Sequence, residues 1–231
     1  MKSARQVASE DKQLAADGAF PGQLNRYDVP AASASVATTV AALKAKRSHV
    51  EVFDDEPAAL AFLSTLVKDG ESVALGGSTT LSQVGFTEHL KTRGDAVVNL
   101  KAKAIAAQAR GDMPAYAEHV RQAATADWFF SSVYAVTEDG CLLACDYGGG
   151  RTNGWLAAKR LVVVAGTNKI ARDEAAAEAR LLEYQLPLES ARLRSTTPFP
   201  FSQVVNKVQL RADHPIVPRV TVVLINKALG F

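Results

Sequence analysis

From residue 33 to residue 225 short apolar runs alternate with amphipathic stretches, and nothing else in the chain restricts its fold so tightly. VEVF, SVALG, DWFFSS and RLVVVAG are too short for buried helices and lack the strict polar alternation of a half-wet sheet. They read as strands covered on both faces. Between them lie helical patterns such as DEPAALAFLSTLVKDG, where Ala59, Leu60, Leu63 and Leu66 recur at helical spacing. Strands are expected at 49–53, 72–76, 95–99, 127–132, 141–146, 161–165 and 219–225. Helices are expected at 33–47, 56–68, 79–92, 112–125, from about 152, and at 172–185. A helix between successive strands carries the chain back for parallel pairing, so the expected fold is α/β: an open, mostly parallel sheet with helices on both faces.

The flanks are less regular. Residues 1–30 mix charge with Ala, Gly and Pro and read as a peripheral arm, a helix over 4–16 followed by an extended linker, outside an α/β domain at 31–231. Residues 187–218 hold five prolines and no clear period. A loop of that length covers a site, contacts another subunit or is a surface excursion with some short helix.

Composition narrows the partners. A chain of 231 residues, 48% hydrophobic and 22% charged, can bury a sizeable core. Its formal net charge of +2 is spread out, without the concentrated positive face that nucleic acid requires. The longest apolar runs, such as LVVVA at 161–165, fall far short of the roughly 18 residues of a membrane span. MKSARQVASEDKQ has no apolar segment of a secretory signal, so the chain reads as cytoplasmic. Cys141 and Cys145 would lie about 13 Å apart on one strand face, beyond disulfide reach, and read as buried thiols. The histidines at 49, 89, 119 and 214 stand apart, and no Cys/His cluster has metal-ligand spacing.

The most suggestive local motif is ESVALGGSTTLSQVGFTEHLKTRG, a strand, a Gly-Gly-Ser-Thr-Thr turn and a helix. Gly76 and Gly77 allow close backbone approach to a ligand. Ser78, Thr79 and Thr80 offer hydroxyls beside free helix N–H groups, a combination that suits a phosphate or carboxylate. A plain connection in which Ser78 or Thr79 caps the helix fits the same residues.

GGSTTLSQVG, ADWFFSSVYAVTEDG, DYGGGR, KRLVVVAGTNKIARD and TVVLINKALGF, in this order and spacing, resemble the lactate-utilisation domain family, which includes lactate-utilisation protein C. The resemblance covers about 31–231. It implies a fold similar to ribose-5-phosphate isomerase and the CoA transferases, and a place in the oxidation of L-lactate to pyruvate beside iron–sulfur partner proteins. The chain departs from the family in three places: 193–218 contains no cysteine, Tyr134 stands where relatives tend to have Asn, and Gly150 stands where they have Asn before the loop arginine. Only Asp146 and Tyr147 precede the glycine run, so the Asp-x-x-Asp pair and Lys of ribose-phosphate isomerases are missing.

Ligands of open α/β sheets sit beyond the C-terminal strand ends, so four loops are expected to converge: 76–80, 131–140, 146–153 and 166–169. They hold the expected ligand-binding residues Gly76, Gly77, Ser78, Thr79, Thr80, Ser131, Gly148, Gly149, Gly150, Arg151, Thr167, Asn168 and Lys169. Arg151 can grip an anion through its planar fork, with Lys169 as a point charge on the same crevice. Asp146 is a candidate orienting acceptor. Glu138 in TEDG is a candidate carboxylate nucleophile, because related CoA transferases use a glutamate near such a turn. The expected partner is a small anionic or phosphorylated ligand, with iron–sulfur oxidoreductase subunits and no nucleic acid or membrane. No flavin, nicotinamide or iron–sulfur motif is present, the cofactor is unassigned, and a homo-oligomer is left open. The competing readings are an acyl or CoA transferase and a non-catalytic metabolite sensor.

Overall fold

The computed structural model describes residues 1–16, 20–147, 149–196 and 201–231. Among these residues ten strands form two sheets: β1 (His49–Phe53), β2 (Ser72–Leu75), β3 (Val98–Asn99), β4 (Trp128–Ser131), β5 (Ala135–Thr137), β6 (Leu142–Asp146), β7 (Arg160–Gly166), β8 (Ile170–Ala171), β9 (Asn206–Leu210) and β10 (Val220–Ile225). The larger sheet runs β1-β10-β7-β4-β2-β3, every pair parallel. The smaller runs β8-β5-β6-β9, with β5 parallel to β8 and antiparallel to β6, and β6 antiparallel to β9.

The helices are α1 (Ala4–Glu10), α2 (Lys12–Ala16), α3 (Phe20–Tyr27), α4 (Ser33–Ala45), α5 (Glu56–Ser64), α6 (Thr79–Gln83), α7 (Phe86–Thr92), α8 (Leu100–Ala109), α9 (Met113–Ala124), α10 (Thr152–Ala157), α11 (Glu174–Arg180) and α12 (Leu186–Thr196). Side-chain caps set many of their starts: Asp55, Ser78, Asn99, Asp112 and Asp173 each accept from a backbone N–H one turn on.

The apolar runs at 160–166 and 220–225 occupy the middle of the large sheet, and their alternate side chains enter opposite layers. Leu161, Val163, Val222 and Leu224 pack with Leu43, Leu100 and Trp155 on one face. Val162, Val164, Val223 and Ile225 pack with Leu63, Leu81, Phe86 and Leu90 on the other. Each such side chain, taken out of water, contributes about 1.5–3 kcal/mol. Gly154 lets α10 press onto β4, since a Cβ there would collide with the Phe129 ring.

β4 and β7 are neighbours in the large sheet, and beyond their C-terminal ends both bend into the small one. Through residues 132–134 the chain passes from β4 to β5, and through Thr167–Lys169 from β7 to β8. A fold with helices on both faces of a parallel sheet is therefore present, but strand β6 does not belong to that sheet as the sequence suggested. It turns back on β5 at the TEDG hairpin and is held there by β9.

Other departures have local causes. The helix expected at 79–92 breaks at Gly85, whose φ of 87° takes it out of helical space. The 95–99 segment keeps only two strand residues and leads into α8, a helix whose alanine-rich sequence gave no clear period. The helix expected to end at 185 widens into a π turn at Leu181–Gln185 just before Pro187, and α12 then continues to Thr196 inside the segment read as irregular. The linker expected after residue 16 contains α3, with Pro21 in its first turn, where a missing N–H is harmless. Val7, Leu14, Phe20 and Tyr27 of this N-terminal region pack against Tyr184, Leu188 and Phe231 in a cluster of their own.

Candidate functional site

The bend between the two sheets gathers most of the polar residues expected at a ligand crevice. Gly76 extends β2, its N–H donating to Phe130 O at 2.9 Å, and residues 77–78 turn into α6. Ser78 caps that five-residue helix by accepting from Leu81 N at 3.1 Å. The capping reading of Ser78 therefore holds, and the helix is too short for its dipole to carry an anion site. Thr80 faces inward and is buried, as are Ser131 and Ser132.

Lys169 lies at the centre. It is 2% exposed, and its Nζ donates to Thr80 Oγ1, Ser132 Oγ and Val133 O, each at 3.1 Å. The lysine thus ties these segments together, and among the described residues no carboxylate is hydrogen-bonded to it. Burial, with the nearby charges of Arg180 and Arg151, pushes its ammonium well below the ordinary lysine range.

Arg151 reaches the same turn from the small sheet. Its Nη1 donates to Cys145 O at 2.9 Å and its Nη2 to Gly77 O, while its Nε is buried with no partner. The Asp146 carboxylate does not pair with the guanidinium. It accepts instead from the backbone N–H groups of Gly149, Arg151 and Thr152 at 2.7–2.9 Å and from Asn206 Nδ2 at 3.1 Å. Burial raises its pKa, but these hydrogen bonds outweigh burial and hold the carboxyl below its usual value. Asp146 therefore shapes the glycine loop, with Gly149 and Gly150 on its rim; Gly148 lies outside the described residues.

Residues 167–168 serve the scaffold. Thr167 is buried with an unpartnered hydroxyl, and Asn168 joins both flanks of the chain, donating to Tyr27 O at 3.4 Å and accepting from Leu229 N at 3.1 Å. Arg180 is buried behind them, donating to Tyr134 O at 2.6 Å and Asn168 O at 3.3 Å, and burial lowers its pKa to about 10. The C-terminal segment closes the site. Gly230, at φ 63°, lies against Thr80 Oγ1 and Lys169 Nζ, and its N–H donates to Gln83 Oε1 at 2.7 Å.

Glu138 is not brought to this cluster. It stands at the far end of β5 from Val133, and its carboxylate accepts from Ser35 on α4 at 2.6 Å. Two further cations went unforeseen, Lys101 in the first turn of α8 and Arg192 on α12, whose guanidinium is held by Glu189. Only the stacking of β3 beside β2 brings Lys101 here, a pairing with no local sequence signal. Among the described residues no group of His, Cys, Asp and Glu has the arrangement of a metal site, and no helix is long and apolar enough to cross a membrane. Cys141 and Cys145 are free and buried, and burial raises the Cys145 thiol to about 11.

A parallel sheet whose strands bend into a second sheet around a cationic turn defines an α/β domain of known kind. The LUD domain family model matches residues 36–200, and the chain belongs to that family. Membership implies a role in lactate utilisation. A solved DUF162 family protein from Deinococcus radiodurans has a similar fold at 10% identity and a TM-score of 0.50, over 85% of this chain and 99% of that one. A D-ribose-5-phosphate isomerase in complex with phospho-erythronic acid aligns more loosely, with 14% identity and a TM-score of 0.32 over 51% of this chain and 53% of its own. No curated protein matches the sequence.

Proposed function

We propose that this LUD-family chain is a lactate-utilisation subunit that binds a small organic anion, a carboxylate or phosphorylated acid, at the bend between its sheets. In this reading it supports the oxidation of L-lactate to pyruvate together with iron–sulfur partner proteins, which carry the electrons. One observation supports it above others: Lys169 and Arg151 converge on the 76–80 turn, and neither hydrogen-bonds a carboxylate among the described residues. Charges held this way are expensive unless an anion completes them. The acyl-transferase alternative draws no comparable support, because Glu138 is bonded to Ser35 and lies away from both cations.

The test is calorimetric titration of the purified protein with L-lactate, pyruvate and inorganic phosphate, repeated on Arg151→Met. Saturable binding by the wild type that the variant loses is expected. Absence of binding by all three, or equal binding by the variant, would reject the site. Co-purification of iron–sulfur proteins from a source expressing the tagged chain tests the partner part, and their absence under lactate growth would count against it.

A further inference from the structure

Lys101 has no hydrogen-bond or ion-pair partner among the described residues, although it is only partly exposed. It occupies the second position of α8, where the aligned N–H groups already present positive potential and a cation is disfavoured. β3, which leads into α8, lies parallel to β2 with Asn99 beside Val73, so Lys101 emerges at the strand edge that carries the 76–80 turn. Arg151 lies on that turn through its bond to Gly77 O. Burial, then the charges of Arg151 and Arg192, lower the Lys101 pKa, as expected of a cation facing other cations.

Arg151 adds a directional argument. Two of its guanidinium nitrogens are committed to backbone carbonyls, so the paired N–H fork that best fits a planar carboxylate is already in use. Its remaining Nε is buried and unpartnered beside Gly76, where a Cβ would stand 3.4 Å from Nε and 3.0 Å from Ser131 Oγ. Single donors arriving from separate elements, with two cations that hydrogen-bond no carboxylate among the described residues, suit a tetrahedral dianion better than a planar monoanion.

We propose that Lys101, Arg151 and Gly76 form a subsite for the phosphoryl group of a phosphorylated ligand. This rests on the anion-binding reading above and adds a residue and a ligand class to it. Inorganic phosphate and acetate, titrated by calorimetry into the full chain, are the probes. Phosphate should bind more tightly than acetate, Lys101→Met should weaken phosphate roughly tenfold or more, as loss of one charge-assisted hydrogen bond implies, and Lys101→Arg should retain most of the affinity. Gly76→Ala should weaken phosphate binding, because its Cβ would stand 3.0 Å from Ser131 Oγ and shift the turn that holds Arg151. Phosphate should also slow acetylation of Lys101 in the unaltered protein, a readout that needs no variant. Phosphate binding lost in Arg151→Met but unchanged in Lys101→Met and Gly76→Ala would overturn the subsite and leave the anion site standing. Acetate bound as tightly as phosphate would overturn the phosphoryl assignment, and failure of the wild type to bind either would overturn both readings.

Discussion

The two edges of the large sheet treat charge in opposite ways. At the N-terminal edge Asp127 holds Lys159 at 2.7 Å and accepts from the Ser72 N–H and hydroxyl, and Glu71 holds Arg160 at 2.8 Å while accepting from Trp128 Nε1. At the C-terminal edge Lys169 and Arg151 are held by hydroxyls and carbonyls, and Lys101 by no hydrogen bond or ion pair among the described residues. The first arrangement is complete in itself and stabilises the fold. The second leaves its cations without a hydrogen-bonded carboxylate among the described residues, the arrangement that the proposed anion site calls for.

Removal of the N-terminal region should make the largest difference between the edges. We propose that residues 1–30 form an arm separable from a domain at 31–231. Deletion of 1–28 should leave a cooperatively unfolding protein, less stable because Tyr184, Leu188 and Phe231 lose their cover, and weaker in anion binding because Asn168 loses Tyr27 O. Scanning calorimetry checks this; failure to fold would place the arm inside the core.

Next in size, Asp127→Ala should lower stability by about 2–3 kcal/mol, the worth of charge-assisted hydrogen bonds, without altering phosphate affinity. Lys159 and the Ser72 donors hold the Asp127 carboxyl well below its usual pKa. Its contribution is therefore complete above the unfolded value of about 3.9 and fades as pH falls through the lower folded value. Denaturant titrations should show the gap between wild type and variant narrowing from pH 4 to pH 2. Lys169 should show its pH dependence in a higher window, as a cost relieved instead of a gain acquired. Its folded pKa is depressed, so between that value and the unfolded value of about 10.4 the unfolded chain binds more protons, and wild type should gain on Lys169→Met as pH rises. A Lys169→Met gap that stays constant across the alkaline range, or an Asp127→Ala gap that stays constant between pH 4 and pH 2, would dissolve the contrast.

Arg151→Met should weaken anion binding by about 1.5–3 kcal/mol, whereas Ser78→Ala should mainly remove a helix cap and lower stability by about 1 kcal/mol. The smallest effect belongs to Lys159→Met. Its side chain is 69% exposed, and loss of its pair with Asp127 should change stability by less than about 1 kcal/mol.

The central strands were legible because burial on both faces leaves a sequence mark that does not depend on neighbours. LVVVA and TVVLI could hardly be anything else. The Gly-Gly-Ser-Thr-Thr turn, the DYGGGR loop and Lys169 were legible as residues that end strands. Their roles were less so, since whether Ser78 caps a helix and whether Asp146 pairs with Arg151 depend on side-chain directions that no spacing encodes. The small sheet was hidden because its pairings are long-range: β9 reaches β6 across some sixty residues, its Asn206 meeting Asp146. Lys101 was hidden for the same reason, sitting in an alanine-rich helix whose place is fixed by β3 rather than by its own pattern.

Gly230 sets the terms on which anything can reach Lys169. Its peptide rests on the amine and on Thr80, pinned by Gln83 on one side and, through Leu229, by Asn168 on the other. Any group that touches the amine must first lift this segment, break both hydrogen bonds and uncover Leu229 and Phe231, which are buried in two different apolar clusters. Only the fraction of molecules in which the segment is lifted can accept such a group, so the apparent affinity of that inner position is its intrinsic affinity reduced by the open fraction. A ligand of Lys169 would then be timed by the opening of the segment, and its observed rate would level off at high ligand concentration instead of rising with every encounter.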